Sequence, residues 1–324
     1  MCTAATLKAL DYYIGRNLDY EFSYGEQIVI TPRNYLFKFR HKEYLKQHYA
    51  IIGMAHVVDD IPLYYDACNE KGLGIAGLNF VNNAYYHPIK QDKNNIASFE
   101  LMWWLLAKCT NVDEVITELN NMNICNDAFS DKLPPSQLHW LISDGKKDIV
   151  VEAMIDGIKI YENHAHVLTN NPPFDKMLFK LNDYMSLSNK QPENTFGKEL
   201  ELEYYSRGMG GLGLPGDLSS ASRFVKAAFI RSNIIAKDNE EDSVSQFFHI
   251  LTSVEQQEGC CEVEKDKYEY TIYSSCMNLN KGIYYYKTYN NHQIMAVDMY
   301  HEDLNSHNII CYPMEDKCKI TYQN

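Results

Sequence analysis

Along the first third of the chain the apolar residues come in short runs with the length and punctuation of strands, not in helical stripes. Cys2–Leu7 and Tyr12–Asn17 are two such runs, turning through 8–11, and pairing them would bring Arg16 back beside Cys2. Gln27–Thr31 is another, closed by Pro32, and Tyr49–Val58, Leu63–Cys68 and Leu73–Phe80 follow. Between the last two, Asn69-Glu70-Lys71-Gly72 reads as a hairpin-type turn with glycine where positive φ is wanted. The segment 73–80 (LGIAGLNF) is nearly all apolar or glycine, as expected of a strand buried on both faces.

The period then changes. Ser98–Cys109 is apolar almost all round, which predicts a helix sandwiched in a core. Asn111 followed by Glu114 predicts an N-cap with a capping-box glutamate, opening an amphipathic helix to about Met122. The loop 123–135 is long and carries Phe129 and Leu133, which a surface loop would not need unless they cover something. Four more strands are expected at Leu138–Ser143, Ile149–Met154, Ile158–Tyr161 and His166–Thr169, with Asp144-Gly145 and Asp156-Gly157 as turns. After Pro173 the chain turns polar and irregular, up to a glycine-rich loop at 208–216. Ser219 or Ser220 then caps a helix to about Lys237, and Val244–Thr252 is a second. Strong alternation in Tyr268–Met277, Ile283–Tyr289 and Gln293–Tyr300 predicts antiparallel strands. Neither repeats nor a linker interrupts this order, so 1–324 reads as a single domain. The pattern predicts an α+β fold of two antiparallel sheets covered by helix pairs.

Composition narrows the function classes. A net charge of −13 leaves no basic stripe to neutralise phosphates, so no nucleic-acid partner is expected. The longest apolar run, Leu101–Ala107, is far too short for a bilayer, and no leader with a charged and then an apolar region is visible. Nine scattered cysteines without a CxxC pair look like a reduced, cytoplasmic set. The loop 208–216 fails as a phosphate site, because neither a buried strand before it nor a Lys-Ser/Thr pair after it is present. His164 and His166 have metal-compatible spacing, but without a further ligand they read as a solvated or packed pair. No metal and no cofactor are expected.

The chemistry concentrates at the start. Cys2 follows Met1, and a small side chain there permits removal of the methionine, leaving a thiol and a free α-amine on one residue. The ordinary pKa values of the two groups lie within about a unit of each other, so near neutral pH the amine can take the thiol proton. Nucleophile and general base would then come from one residue. Arg16 and Asp19 supply a cation and a carboxylate one strand later. Taken alone, a cysteine in this position is ordinarily a buried structural residue.

Several blocks together change that. MCT at the start, GRNLDYEFSYG at 15–25, ITPRN at 30–34, NEKGLGIAGLNF at 69–80, LHWLISD at 138–144, VLTNNP at 167–172 and GLPGDLSSASRF at 213–224 resemble the choloylglycine hydrolase family, as does CMNLNKGIYYYKTY near the C-terminus. That family comprises bile salt hydrolases and penicillin V acylases, N-terminal-nucleophile amidases of four-layer αββα fold. The resemblance implies Cys2 as nucleophile with its own amine as base. It implies Asp19 as the holder of that amine, and Arg16 and Arg223 as cations near the sulfur. Asn79 by its side chain and Asn170 by its backbone N–H would be the oxyanion donors. Asn79 also leans the reading to conjugated bile salts, since penicillin V acylases commonly carry Tyr there. Penicillin V or acyl-homoserine-lactone acylase is the alternative. A non-catalytic bile-salt-binding scaffold would be free to lose the six residues, all of which are present. The same alignment offers Leu18, Val58, Phe129, Leu133 and Leu138 as walls of an apolar pocket, and the loop 208–216 as an assembly loop of a homotetramer. The hairpin from Cys2 to Arg16 is shorter than in many members; a shifted register there would turn Arg16 to the wrong face.

Overall fold

A computed structural model describes residues 1–324. The chain opens with β1 (Cys2–Lys8), β2 (Tyr12–Tyr20), β3 (Gln27–Thr31), β4 (Ile51–Val58), β5 (Ile61–Asn69) and β6 (Gly74–Asn79). β7 (Asn94–Ala97), α1 (Leu101–Lys108), α2 (Val112–Asn120) and β8 (Met122–Cys125) follow. Next come β9 (Leu138–Ser143), β10 (Asp148–Met154), β11 (Gly157–Glu162) and β12 (Val167–Leu168), then α3 (Phe174–Lys180), α4 (Ser220–Asn233) and α5 (Glu240–Thr252). The last strands are β13 (Glu262–Glu264), β14 (Lys267–Tyr268), β15 (Tyr270–Asn278), β16 (Ile283–Thr288), β17 (Met295–Asp298) and β18 (Ile310–Pro313).

Two antiparallel sheets dominate, a six-stranded one ordered β12-β1-β2-β15-β16-β17 and an eight-stranded one ordered β11-β10-β9-β6-β5-β4-β3-β18. Both faces of the eight-stranded sheet are covered, which is why its strands read as apolar runs. Ile28 and Ile30 of β3 enter the core shared with the other sheet, and Val29 between them enters the core under α1 and α2. Leu105, Val112 and Val115 pack there against Ile75, Trp140 and Ile142. On the far side, Phe224, Ala227, Phe247 and Leu251 of α4 and α5 cover the six-stranded sheet. The order of layers is helix, sheet, sheet, helix, the expected αββα arrangement. Each fully buried Ile, Leu or Phe in these layers stabilises the fold by about 1.5–3 kcal/mol. Gly74 marks the close approach of the two sheets, since a Cβ there would lie 2.6 Å from Ile14 Cγ2.

The β1–β2 hairpin keeps an unbroken register from Cys2↔Leu18 to Lys8↔Tyr12. Its short turn therefore leaves the end that carries Cys2 and Arg16 undisturbed. Elsewhere the expected elements differ in detail. The capping box sits one residue early: the Asn111 side chain accepts from Glu114 N–H, but the Glu114 carboxylate turns to Thr110. α5 starts at Glu240, four residues before Val244, because Glu240, Glu241 and Asp242 suit the positive end of a helix capped by Asn239. α4 stops at Asn233, not Lys237. β12 is only two residues long and joins β1 in the other sheet, and His166 before it has a φ of 58° outside the strand. The segment after Pro173 is not wholly irregular, for it opens with α3. The loop 123–135 likewise begins inside β8, which pairs in parallel with β7.

Candidate active site

Cys2 opens β1 and is buried, with Leu18 of β2 directly opposite. Arg16 lies two residues along β2 on the same face, so its side chain reaches diagonally to the sulfur. Its Nη2 donates to Cys2 Sγ at 2.5 Å. Nη1 donates to Gly77 O and, at 3.3 Å, to Tyr65 O, while Nε donates to Asn17 O at 3.3 Å. Carbonyls of the facing sheet thus fix a wholly buried guanidinium against the thiol. Burial pulls the Arg16 pKa down, but Cys2, Tyr273 and Asp66 together outweigh it, and the net shift is upward.

Arg223, from the first turn of α4, hydrogen-bonds to the Cys2 main chain and to the side chains of Thr3 and Asn170, not to the sulfur. Its Nη1 donates to Cys2 O at 2.5 Å and to Thr3 Oγ1 at 2.6 Å, and its Nη2 to Asn170 Oδ1 at 2.9 Å. The second cation thus sits beside Cys2, and its charge acts on that residue without a hydrogen bond to the sulfur. Asn170 differs from the expectation. Its backbone N–H donates to Ser220 Oγ at 2.8 Å and is not free to meet an oxyanion. Its side chain is the part that faces Cys2: Oδ1 accepts from Cys2 N–H at 2.7 Å, and Nδ2 donates to Asn79 O at 2.8 Å. Asn79, at the end of β6, keeps its side-chain amide unpaired on the wall of the cleft.

Asp19 is fully buried at the far end of β2, accepting from Thr271 Oγ1 at 2.6 Å, with Arg223 Nη1 at 3.9 Å. Burial raises its pKa, and Arg223 opposes the rise. The Met1 amino group donates to Asp19 O at 2.9 Å and pairs with Glu269. Burial lowers the pKa of this amino group.

Cys2, Arg16 and Asn79 line a cavity of about 380 Å³. Leu18, Phe129, Leu133 and Leu138 line it. Val58 does not; it lies at the hairpin end opposite Ile61, while His56, two residues earlier on the strand, borders the cavity. Sequence reasoning missed Tyr20, Tyr24 and Phe99 on the walls. A signal existed, because Tyr20, Phe22 and Tyr24 alternate in sequence, and their rings cluster at 4.8–5.7 Å.

Metal-capable groups lie elsewhere. His164 and His166 do have carboxylates beside them, but different ones: Glu162 at 3.8 Å and Asp148 at 2.6 Å. One His-Cys-Asp group could hold an ion, His41, Cys125 and Asp127, with their donor atoms within 4.8 Å of one another.

Known proteins give this geometry a context. The model of the linear amide C–N hydrolases, choloylglycine hydrolase family, matches residues 2–312. A bile salt hydrolase/transferase of Lactiplantibacillus plantarum is 54% identical over 319 residues, covering 98% of each chain. One from Clostridium perfringens is 40% identical over 330 residues, covering both chains fully (100%). A solved variant of the conjugated bile acid hydrolase from Clostridium perfringens superposes with a TM-score of 0.92 at 38% identity, over 100% of both chains. Penicillin V acylase from Agrobacterium tumefaciens shares the fold, with a TM-score of 0.75 at 19% identity over 96% of this chain and 90% of that one. The chain belongs to the choloylglycine hydrolase family of linear amide C–N hydrolases.

Proposed function

We propose that the protein cleaves the amide of glycine- or taurine-conjugated bile salts, releasing free bile acid and amino acid, once Met1 is removed. The observation that carries this reading is the Arg16 guanidinium held on the Cys2 sulfur in the lining of a largely apolar cleft. The names of the relatives from Lactiplantibacillus plantarum and Clostridium perfringens support the substrate class.

The steps follow from the positions of the groups. With Met1 gone, the Cys2 nitrogen is an amine held by Asn170 Oδ1, and its lone pair takes the thiol proton. The sulfur, steadied by Arg16, attacks the amide carbon. Charge develops on the carbonyl oxygen, and the unpaired Asn79 amide donates to it. Collapse breaks the C–N bond, the α-ammonium returns its proton to the departing amine, and a thioester remains. Water then attacks the thioester with the α-amine as base, and bile acid leaves as the thiol re-forms. Arg223 holds the Cys2 carbonyl and Asn170 in place, and Asp19 balances that cation. Leu18, Phe129, Leu133 and Leu138 receive the steroid body.

Parallel assays on taurocholate, glycocholate and phenoxymethylpenicillin test the substrate class. Conjugated bile salts are expected to turn over fastest; clear preference for the penicillin would overturn the reading. Cys2→Ala is expected to abolish hydrolysis, whereas a bile-salt-binding scaffold would be indifferent to it.

The protein acts as one domain in the cytoplasm and assembles as a homotetramer. Nine free cysteines support a reducing compartment, and no helix is long and apolar enough to cross a membrane. Phe196, Leu202, Tyr205 and Leu212, exposed around the loop 208–216, support self-association. Sedimentation of the purified protein tests the assembly, and a monomer would contradict it.

A further inference from the structure

Asp66 of β5 is fully buried between the two sheets and has no part in the steps above. Tyr273 OH donates to its Oδ1 at 2.6 Å, and Ser275 Oγ and Tyr284 OH each donate to its Oδ2 at 2.7 Å. Burial raises the Asp66 pKa, and Arg16 and the three converging hydroxyls oppose the rise; three donors on one carboxyl suit the ionised form, which only accepts. The Arg16 guanidinium, by contrast, has no carboxylate in direct contact. Its partners are the carbonyls of Gly77, Tyr65 and Asn17 and the Cys2 sulfur. A buried cation without a counter-charge is costly. Ser275 ties the carboxylate to the Arg16 main chain, because the Oγ that donates to Asp66 also accepts the Arg16 backbone N–H at 3.1 Å, and the two opposite charges lie near enough to act on each other through space. Tyr273 and Ser275 stand two apart on β15, and Tyr284 comes from β16, so two neighbouring strands build the cage.

We propose that Asp66 is a positioning residue for the amidase reaction: it is the counter-charge of Arg16 and limits how strongly that guanidinium draws negative charge onto the Cys2 sulfur. This rests on Cys2 being the nucleophile. The restraint has a chemical use, since the nucleophilicity of a thiolate falls as its proton affinity falls. Arg16, Tyr273, Tyr284 and, along β5, Cys68 are the titratable groups around Asp66. Around the sulfur they are Arg16, the terminal amino group, Asp19 and Arg223. Asp66→Asn leaves all of these in place and removes one charge.

The test is the pH dependence of Cys2 alkylation by iodoacetamide, read on the N-terminal peptide by mass spectrometry, beside turnover of glycocholate. In Asp66→Asn the half-plateau pH is expected to move down by about one unit. The high-pH plateau is expected to fall about threefold. A packing role would lower thermal stability and leave the titration where it was; an unmoved titration overturns the proposal. Should the asparagine variant not fold, Asp66→Ser removes the same charge from a smaller side chain, with the same expected direction. A carboxyl carbon NMR spectrum of the wild type needs no variant: an ionised Asp66 at neutral pH supports the proposal, and a protonated one overturns it. Full activity of Cys2→Ala would sink the nucleophile reading. An unmoved titration beside an inactive Cys2→Ala sinks only the role of Asp66.

Discussion

Asn79→Ala separates transition-state chemistry from structure with little interference. The Asn79 backbone belongs to the β6–β9 ladder opposite Leu138, and its carbonyl accepts from Asn170 Nδ2. Both interactions survive truncation of the side chain. The side-chain amide itself has no protein partner, so its removal orphans no buried group. What disappears is the donor proposed for the oxyanion, and losing such a donor raises the barrier by about 2.7–4 kcal/mol. The expected result is a kcat on glycocholate lower by roughly 100- to 1000-fold, with KM and Tm close to wild type. Initial rates of glycine release, with a thermal melt on the same sample, give both numbers. The assignment is refuted if kcat stays within about tenfold, or if Cys2 alkylation slows in parallel with turnover. The second outcome would mean that the nucleophile itself had been disturbed.

Three further changes probe the surrounding groups. Arg223→Met leaves the Cys2 carbonyl, Thr3 and Asn170 without their donor and Asp19 without its cation, and should destabilise the fold by about 3–5 kcal/mol in chemical denaturation. Leu133→Ala strips half-buried apolar surface from the cleft; about 1 kcal/mol of lost contact should raise KM for glycocholate roughly fivefold with kcat unchanged. Asp217, bonded to Ser219 and Ser222 at the start of α4, has its pKa lowered to about 2. A depressed carboxylate stabilises the fold above its ordinary range, and that contribution is lost as pH falls from about 4 toward 2. The group is mostly exposed, so screening limits the effect to about 0.5 kcal/mol. Wild type should therefore lose slightly more stability than Asp217→Asn over that interval, in melts at successive pH values.

Much of the fold was legible because buried strands leave plain traces. Gln27–Thr31 was found to the residue, and Asn69–Gly72 by its turn glycine, which has a φ of 87°. The return of Arg16 to the neighbourhood of Cys2 is legible from the hairpin, although the register partner of Cys2 is Leu18 and Arg16 reaches it diagonally. The unread parts have physical reasons. β7 and β8 are four residues each, too short for an alternating pattern to stand out, and β7 opens with Asn94 and Asn95. The sequence blocks place Asn170 and Arg223 beside Cys2, but which atom of each faces it depends on where Ser220 and Thr3 sit, and no local pattern encodes that. Val58 was misplaced because alternation predicts a face and not how far along the strand the cleft extends. Asp66 lies inside the expected strand Leu63–Cys68, where a carboxylate among apolar residues is the one hint, since its hydroxyl partners are about two hundred residues away.

The central claim is that Cys2 attacks with its own freed amine as base. Intact-protein mass spectrometry, on enzyme acid-quenched during turnover of glycocholate, tests it most directly. The account predicts a chain lacking Met1, with a fraction carrying the mass of the bile acyl group on the Cys2 peptide. A fully active preparation that retains Met1, or an acyl group found on any other residue, would contradict it.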